Sequence, residues 1–195
     1  MARRLTQRGK ERREQLMAFS AARFAEQGYH PTSVSEIVAG LGVGKGVFYW
    51  YFDSKEQLFL EILKEAQTDL RRRQQQAIGD EADPIERIRL GLHASMAWAE
   101  AHRDLNTLIQ FATTETTFVS ALRRGQDIAV ADVVKHVKEA IAEGRIRDAD
   151  PDLLAHAMVG VAGHLTRVFI YERGEPAEAI ADAAVTFCLE GLSPA

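Results

Sequence analysis

Residues 28–63 read GYHPTSVSEIVAGLGVGKGVFYWYFDSKEQLFLEIL, and this stretch decides the fold of the first part of the chain. Apolar residues at three- and four-residue spacing predict two very short helices, over about 33–40 and 44–51. Only Leu41, Gly42 and Val43 lie between them, and Gly42 is the expected left-handed turn residue because a side chain there would cost energy. Two short helices joined by a short turn containing glycine are the helix-turn-helix pattern.

The same periodicity predicts helices along the rest of the chain, at 9–27, 55–78, 84–102, 117–143, 151–172 and 177–190. Helix-ending glycines and helix-starting prolines, such as Gly28, Pro84, Gly144 and Pro151, separate these segments. The sequence contains no run of alternating apolar and polar residues, so no strand is predicted. We therefore expect an all-α protein of about nine helices, with an N-terminal three-helix helix-turn-helix head and a C-terminal helical bundle.

The composition is that of a soluble globular protein: of 195 residues, 46% are hydrophobic and 27% are charged. No run approaches the roughly 18 apolar residues of a membrane span, and no apolar segment follows the charged start as in a secretory signal. The single cysteine, Cys188, excludes an internal disulfide and fits a reducing compartment. We expect a cytoplasmic protein without a membrane partner.

The net charge of −4 hides an asymmetry between the two ends of the chain. Residues 1–55 contain nine Lys and Arg against five Asp and Glu, a balance of +4, so the remainder carries −4 − 4 = −8. A basic head on an acidic body is typical of a protein that meets a polyanion at one end. Charge alone favours a solvated basic face over a polyanion site, so the argument for DNA binding depends on the motif.

The second short helix has an unusual composition for a purely structural element. Two glycines, Gly44 and Gly46, weaken its start, and positions 48–52 are five consecutive aromatic residues. Phe48 and Phe52, four residues apart, are expected to point inward, which leaves the aromatic residues between them partly outside. Aromatic side chains with polar tips beside Lys45 suit a phosphate-lined groove, although they could instead seal the head against the body.

These residues resemble the DNA-binding signature of the tetracycline-repressor (TetR) family of transcriptional regulators. The matching stretch runs from about Arg12 to Leu63 and includes Phe24-Ala25-Glu26-x-Gly28-Tyr29, Thr32-Ser33-Val34, Gly42-Val43-x-Lys45-Gly46 and Tyr49-x-x-Phe52-x-Ser54-Lys55-Glu56-x-Leu58. Two positions depart from the family pattern, with Gly44 where serine is common and Tyr51 where histidine is usual. The rest of the chain resembles the family in length and helix layout.

The resemblance implies which residues meet DNA. Phosphate contacts would come from Thr32, Ser33, Lys45, Tyr49, Trp50, Tyr51 and Lys55. Base contacts would come from Lys45, Val47 and Ser35, with valine limited to apolar contact such as a thymine methyl. Gly44 would cap the second helix through its backbone only. Arg3, Arg4 and Arg8 are expected to form an N-terminal arm that either reaches the minor groove or is a solvated tail.

The resemblance also implies a homodimer that binds a palindromic operator as a repressor and is released by a small organic effector. The expected domains are a DNA-binding domain at 1–54 and an effector-binding and dimerisation domain at 55–195. Candidate effector contacts are Trp98, His102, Phe111, Thr114, Phe118, Leu122 and Gln126. Candidate dimer contacts are Leu154, Met158, Val161, Leu165, Val168, Ile180, Ala184 and Phe187, which would also suit an internal core.

Two other functions have to be weighed against this hypothesis. An enzyme is disfavoured, because the sequence has no HExxH motif, no paired CxxC and no nucleophile elbow, and we expect no catalytic residue, metal or cofactor. The glycine-rich segment at 40–46 lacks the spacing of a phosphate-binding P-loop, and no Ser or Thr follows Lys45. A DNA-binding regulator or activator without an effector, acting through a protein partner, remains the alternative.

Overall fold

The computed structural model describes residues 6–192, which fold into helices joined by turns, without a strand in that range. Nine α-helices are present over these residues: α1 (Gln7–Gln27), α2 (Val34–Gly40), α3 (Lys45–Tyr51), α4 (Lys55–Ile78), α5 (Pro84–Ala101), α6 (Arg103–Thr114), α7 (Thr116–Ala142), α8 (Pro151–Leu165) and α9 (Ala177–Leu192). The all-α fold class expected from the sequence is confirmed.

Two elements differ from the sequence prediction. Helix α6 was not among the predicted segments, because it begins directly after the end of α5 at His102 and has no proline or glycine to mark its start. The predicted helix over 151–172 is α-helical only to Leu165 and continues as a π-helical segment over Thr166–Glu172. This segment places Ile170 in the interior, where it is fully buried.

The chain forms two compact units. Unit 1 comprises the residues up to 66 together with 104–122, and unit 2 comprises 67–103 together with the residues from 123 onward. The first part of α4 and most of α6 therefore pack with the helix-turn-helix. The chain passes between the units after residues 66, 103 and 122, that is, inside α4, at the first residue of α6 and inside α7, whereas the sequence placed a single domain boundary at the start of α4.

The short helices of unit 1 begin and end at residues suited to those positions. Thr6 caps α1, its hydroxyl accepting a hydrogen bond from the Gly9 amide at 3.2 Å. Ser33 and Glu36 form a reciprocal capping box at the start of α2. Gly44 precedes α3 without any side-chain capping bond, as its lack of a side chain requires.

Two glycines make the helix-turn-helix geometry possible. Gly42 has φ +64°, the left-handed conformation expected for the turn between α2 and α3. A Cβ atom at Gly40 would overlap the ring of Phe19, so glycine at this position lets α1 and α2 approach closely. Val43, Val34, Ile37, Val38 and Phe48 then close the angle between the helices as one apolar cluster.

Unit 2 contains two apolar clusters. One includes Ile88, Val137, Leu154 and Met158, together with Cys188, whose thiol pKa is raised by burial. The other includes Met96, Ile170, Ile180 and Ala184, among further residues of the same cluster. Of the described helices, the segment Pro151–Glu172 is long and apolar enough to cross a membrane by length and composition alone.

Candidate nucleic-acid interface

Helix α3 presents its aromatic residues in two directions. Phe48 and Phe52 are fully buried in the core of unit 1, which confirms the orientation predicted from their spacing. Tyr49 and Trp50 are 54% and 51% exposed, and they are among the few large apolar side chains left on the surface of the described chain. A seven-residue helix anchored by two inward phenylalanines thus holds an aromatic pair outward on a rigid base.

Small and polar residues surround this exposed pair. Lys45 lies exposed in the first turn of α3, and a Cβ at Gly44 or Gly46 would meet no atom within 4 Å, so the backbone there is open to a ligand. Ser35 is exposed on α2. The Ser33 hydroxyl accepts from the Glu36 amide at 3.2 Å, and the backbone amide and the hydroxyl of Ser33 both bond to the Glu36 carboxylate and lower its pKa.

Val47 and Tyr51 are half-buried and pack against the core of unit 1. Each therefore has both a structural contact and a surface that faces out of the helix. For Val47 the outward part is apolar, so any base contact that it makes is of the methyl type.

Thr32 does not have the exposure that a phosphate contact through its side chain requires. The residue is fully buried, and its hydroxyl donates a hydrogen bond to the Gly28 carbonyl at 2.8 Å. The sequence-based assignment of this side chain to DNA is therefore wrong. Its hydroxyl instead satisfies a carbonyl at the end of α1, in the turn that leads to α2.

The side chain of Lys55 also forms hydrogen bonds within the protein. Its ammonium donates to the carbonyls of Tyr29 at 2.8 Å and Thr32 at 2.9 Å, with a longer contact to the carbonyl of His30 at 3.4 Å. The same nitrogen lies 4.3 Å from the centre of the Tyr29 ring. All three donors of the ammonium are directed to the turn between α1 and α2, so the expectation that Lys55 grips a phosphate is corrected to a structural role.

The local charges around Lys55 fit this role. Burial lowers the pKa of Lys55, because desolvation disfavours the ammonium, while the carboxylates of Glu56 and Glu36 oppose that effect. Burial and the Glu56 carboxylate raise the pKa of Tyr29. The sequence could not indicate this arrangement, because the accepting carbonyls precede Lys55 by more than twenty residues.

An aromatic cluster joins the turn after α1 to the α6–α7 segment within unit 1. The Tyr29 ring stacks on Phe111 at 5.1 Å and meets Phe59 and Phe118 edge-on at 5.0 and 5.3 Å. At the rim of the cluster, His30 Nε2 lies 3.2 Å from a carboxylate oxygen of Glu115. Residues 104–122 are therefore part of the packing that holds the helix-turn-helix.

This cluster changes the interpretation of several predicted effector contacts. Phe118 is buried in the unit 1 core, and Phe111 and Leu122 pack against the same core. Thr114 is exposed, and its hydroxyl donates to the Phe111 carbonyl at 2.8 Å.

The remaining three predicted effector contacts lie in unit 2. Trp98 is buried, its indole NH donates to Asp69 at 2.7 Å, and its ring stacks on His102 at 4.4 Å. Gln126 is exposed on α7. The seven predicted residues are thus divided between the two units, and their contact with an effector remains a prediction.

Of the predicted N-terminal arm, Arg8 lies in the first turn of α1 and is helical rather than part of an extended tail. Arg3 and Arg4 lie outside the described residues. Among residues 6–192, no group of three or more His, Cys, Asp or Glu side chains is placed to hold a metal ion.

The predicted dimer contacts require a correction of face. Leu154, Met158, Ile180 and Ala184 are buried in the clusters of unit 2, and Val161, Leu165 and Val168 are half-buried. Phe187 is 66% exposed, so among these eight residues it has the exposure that an interface contact needs before assembly. The exposed stripe of α8 is offset by about one residue and consists of Leu153, Ala157, Gly160 and His164.

Known proteins resemble this chain in sequence and in fold. The family described as "Bacterial regulatory proteins, tetR family" matches residues 17–62. The HTH-type transcriptional repressor KstR2 of Mycolicibacterium smegmatis is 30% identical over 156 residues, covering 73% of this chain and 72% of its own. YdgC of Bacillus subtilis, an uncharacterised HTH-type transcriptional regulator, is 27% identical over 195 residues, covering 96% and 95% of the two chains. The fatty acid degradation regulator FadR from Bacillus halodurans has the same fold, with a TM-score of 0.84 at 16% identity over 97% of this chain and 98% of its own.

Proposed function

We propose that this chain, which belongs to the TetR family of transcriptional regulators, is a repressor that binds a palindromic operator as a homodimer. The relatives named above are transcriptional regulators and not enzymes. The observation that carries the proposal is the outer face of α3, where exposed Tyr49 and Trp50 flank a glycine-rich helix start beside Lys45. Such a face offers donors and an open backbone to phosphate oxygens, and a cation to base edges.

We assign DNA contacts to a smaller set of residues than the sequence alone suggested. Tyr49, Trp50, Tyr51, Ser33 and the Gly44 backbone are assigned to phosphate, and Lys45, Val47 and Ser35 to base edges. Thr32 and Lys55 are not assigned a direct contact with DNA. Their side chains instead form hydrogen bonds to the backbone of the turn between α1 and α2.

Selection of bound duplexes from a random pool tests this function directly, because it returns the operator and its symmetry. Lys45→Ala and Tyr49→Ala should each reduce affinity for the selected duplex by at least tenfold. The matched control is Lys138→Ala, an exposed lysine of α7 for which the described structure shows no ion pair. Recovery of no enriched sequence, or equal affinity of the α3 variants and the control, would refute the proposal.

We propose that the dimer forms through the exposed face of α8 and α9. Leu153 and Phe187 are 65% and 66% exposed, and a Cβ at Gly160 or Gly163 would meet no atom within 4 Å. Only 22% of the most apolar window of 151–172 is buried within the chain. Large apolar groups beside small residues permit close helix approach across a two-fold axis, as expected for an isologous interface.

Sedimentation of Leu153→Glu and Phe187→Glu tests this interface. Each charge would be buried without a partner in the dimer, so both variants should sediment as monomers at concentrations where the wild type is dimeric. Ile128→Glu is the control, since Ile128 is an apolar residue of α7 with comparable exposure, 49%. A dimer that survives both substitutions would place the interface elsewhere.

We further propose that binding of a small organic effector causes the protein to release its operator. Membership of the TetR family supports this proposal. Residues 55–66 of α4 belong to unit 1 and the remainder of α4 belongs to unit 2. We propose that this continuous helix transmits the conformational change caused by effector binding. By linkage, a ligand that lowers operator affinity must itself bind more weakly in the presence of operator. Ligands that raise the melting temperature should therefore show reduced affinity when operator is added, and a stabilising ligand without this effect would not be the effector.

In this proposal unit 1 carries DNA binding, unit 2 carries dimerisation and effector binding, and the protein acts in the cytoplasm, where its operator is. The proposed partners are double-stranded DNA, a second copy of the chain and a small organic molecule.

A further inference from the structure

A surface groove with a volume of about 460 Å³ runs between the start of α1 and the outer side of α3. Its walls include Arg8, Gly9 and Arg12 from α1, and Gly46, Trp50 and Tyr51 from α3. The groove is therefore continuous with the face of α3 to which DNA binding is assigned. None of the family-derived contacts extends to Arg12.

The charge of this groove is not compensated within the described chain. Arg8 and Arg12 are four residues apart and lie on the same face of α1, and neither forms an ion pair among residues 6–192. The neighbouring Arg13 behaves differently, because it faces α4 and pairs with Glu61 at 2.6 Å and Glu65 at 3.5 Å.

The acidic residues near the start of α1 form no ion pair with Arg8 or Arg12 among the described residues. At about 100° per residue, Glu14 falls on another side of the helix from the Arg8–Arg12 face. Glu11 is three residues from Arg8 and lies close to it on the helix, but it does not pair with it. Glu11 instead accepts a hydrogen bond from Gln7 at 3.1 Å. Two cations thus line one wall of an open groove, where they would attract an anion.

The opposite wall is suited to hydrogen bonding with that anion. A Cβ at Gly46 would meet no atom within 4 Å, so the backbone of α3 is accessible there. Trp50 and Tyr51 line this wall, and their side chains carry an indole NH and a phenol OH, two groups of the kind that donate hydrogen bonds to phosphate oxygens. The combination of two guanidinium groups with neutral donors matches a phosphodiester chain that passes along the groove.

We propose that this groove binds the sugar-phosphate backbone of operator DNA, with Arg8 and Arg12 each neutralising a phosphate next to the segment that α3 reads. The inference rests on the proposed DNA-binding function and extends the interface from α3 onto α1. Because backbone contacts carry no sequence information, these arginines contribute affinity and register rather than base preference.

The first test compares Arg8→Gln, Arg12→Gln and the double variant with wild type, using the selected operator over a series of salt concentrations. Glutamine preserves helix propensity and removes only the charge. Each lost phosphate contact lowers the slope of log affinity against log salt by about 0.9, so the double variant should lose about 1.8 per protomer. Arg124→Gln is the matched control, because Arg124 is an exposed arginine of α7 without an ion pair in the described structure, and its slope should not change.

The second test locates the contact on the DNA. Neutral methylphosphonate linkages are placed one at a time along the operator, inside and beside the segment read by α3. Wild type should bind more weakly when a neutral linkage replaces either of two phosphates in each half-site. The double variant should bind these two modified operators as well as it binds the unmodified one. An unchanged melting temperature of the double variant shows that these losses do not come from unfolding.

The outcomes separate this inference from the function on which it rests. A double variant with the wild-type salt slope and the wild-type pattern of methylphosphonate sensitivity would overturn the role of the groove while leaving operator binding intact. If wild type binds no selected duplex, the proposed function itself fails. Altered base preference in the double variant would also overturn the inference, because it would make the arginines base readers.

Discussion

Replacement of Lys55 by methionine separates a structural role for this residue from a phosphate contact. The substitution keeps the length of the side chain and removes its ammonium, which donates at 2.8 and 2.9 Å to the carbonyls of Tyr29 and Thr32. Loss of a charged hydrogen-bond donor to a partly buried group costs about 1.5–3 kcal/mol, and the cation–π contact with Tyr29 adds about 0.5–1 kcal/mol. With partial solvation of the freed carbonyls, we expect the free energy of unfolding to fall by about 2–4 kcal/mol.

The assay is urea denaturation followed by circular dichroism, paired with operator titrations at several salt concentrations. Operator affinity of Lys55→Met should fall because the turn before α2 loosens, while the salt slope stays at the wild-type value. Lys64→Met is the control in the same helix; its side chain is 73% exposed and its nitrogen is 3.9 Å from Glu61, so a loss below about 1 kcal/mol is expected. Wild-type stability together with a salt slope lower by about 0.9 would refute the structural role and restore Lys55 as a phosphate contact.

Four further substitutions test other parts of the structure. Gly42→Ala should lower the free energy of unfolding by at least about 1 kcal/mol, because the residue has φ +64°. Gly44→Ser should raise the free energy of unfolding by about 0.5 kcal/mol, because serine at φ −82° and ψ 157° can cap α3 through its hydroxyl. Urea denaturation measures both changes. Val47→Ala should change preference at one base pair in each half-site by about 1 kcal/mol, as measured with single-substitution operators, and a uniform loss across all sequences would contradict its base-reading role. Trp98→Phe should remove the hydrogen bond that most strongly lowers the pKa of Asp69, and so lower stability at pH 7 by about 1–2 kcal/mol.

The sign of the pH effect at Asp69 follows from its lowered pKa. A carboxyl whose folded-state pKa lies below its unfolded value stabilises the fold above the unfolded pKa, and that stabilisation is lost as pH falls through the folded value. The difference in stability between wild type and Trp98→Phe should therefore narrow as pH decreases below about 4. A difference that is constant down to the acid transition would mean that the indole NH does not act through Asp69.

The features that the sequence predicted correctly depend on residues close together in the chain. The left-handed conformation of Gly42 and the inward orientation of Phe48 and Phe52 follow from turn chemistry and helical periodicity over a few residues. The family signature lies in the same short region. Helix α6 was missed because it follows α5 without the local signals that mark a helix start.

Assignments that depended on the direction of a side chain in the folded chain were less successful. Both faces of α8 carry apolar or small residues, so periodicity could not indicate that Leu154 and Met158 face inward while Leu153 faces outward. Phe111 and Phe118 have the composition of a ligand-binding wall, but they pack on Tyr29 in the core of unit 1.

The sequence by itself determined that this protein is an all-α member of the TetR family with a helix-turn-helix whose second helix exposes Tyr49 and Trp50. Only the tertiary structure decided that Lys55 and Thr32 hold the turn before α2, and that Arg8 and Arg12 line a groove beside α3. The physical reason is the range of the interactions involved. Helix periodicity and turn conformation are set by neighbouring residues, whereas a hydrogen bond or a groove needs groups that are distant in the chain to meet in the fold.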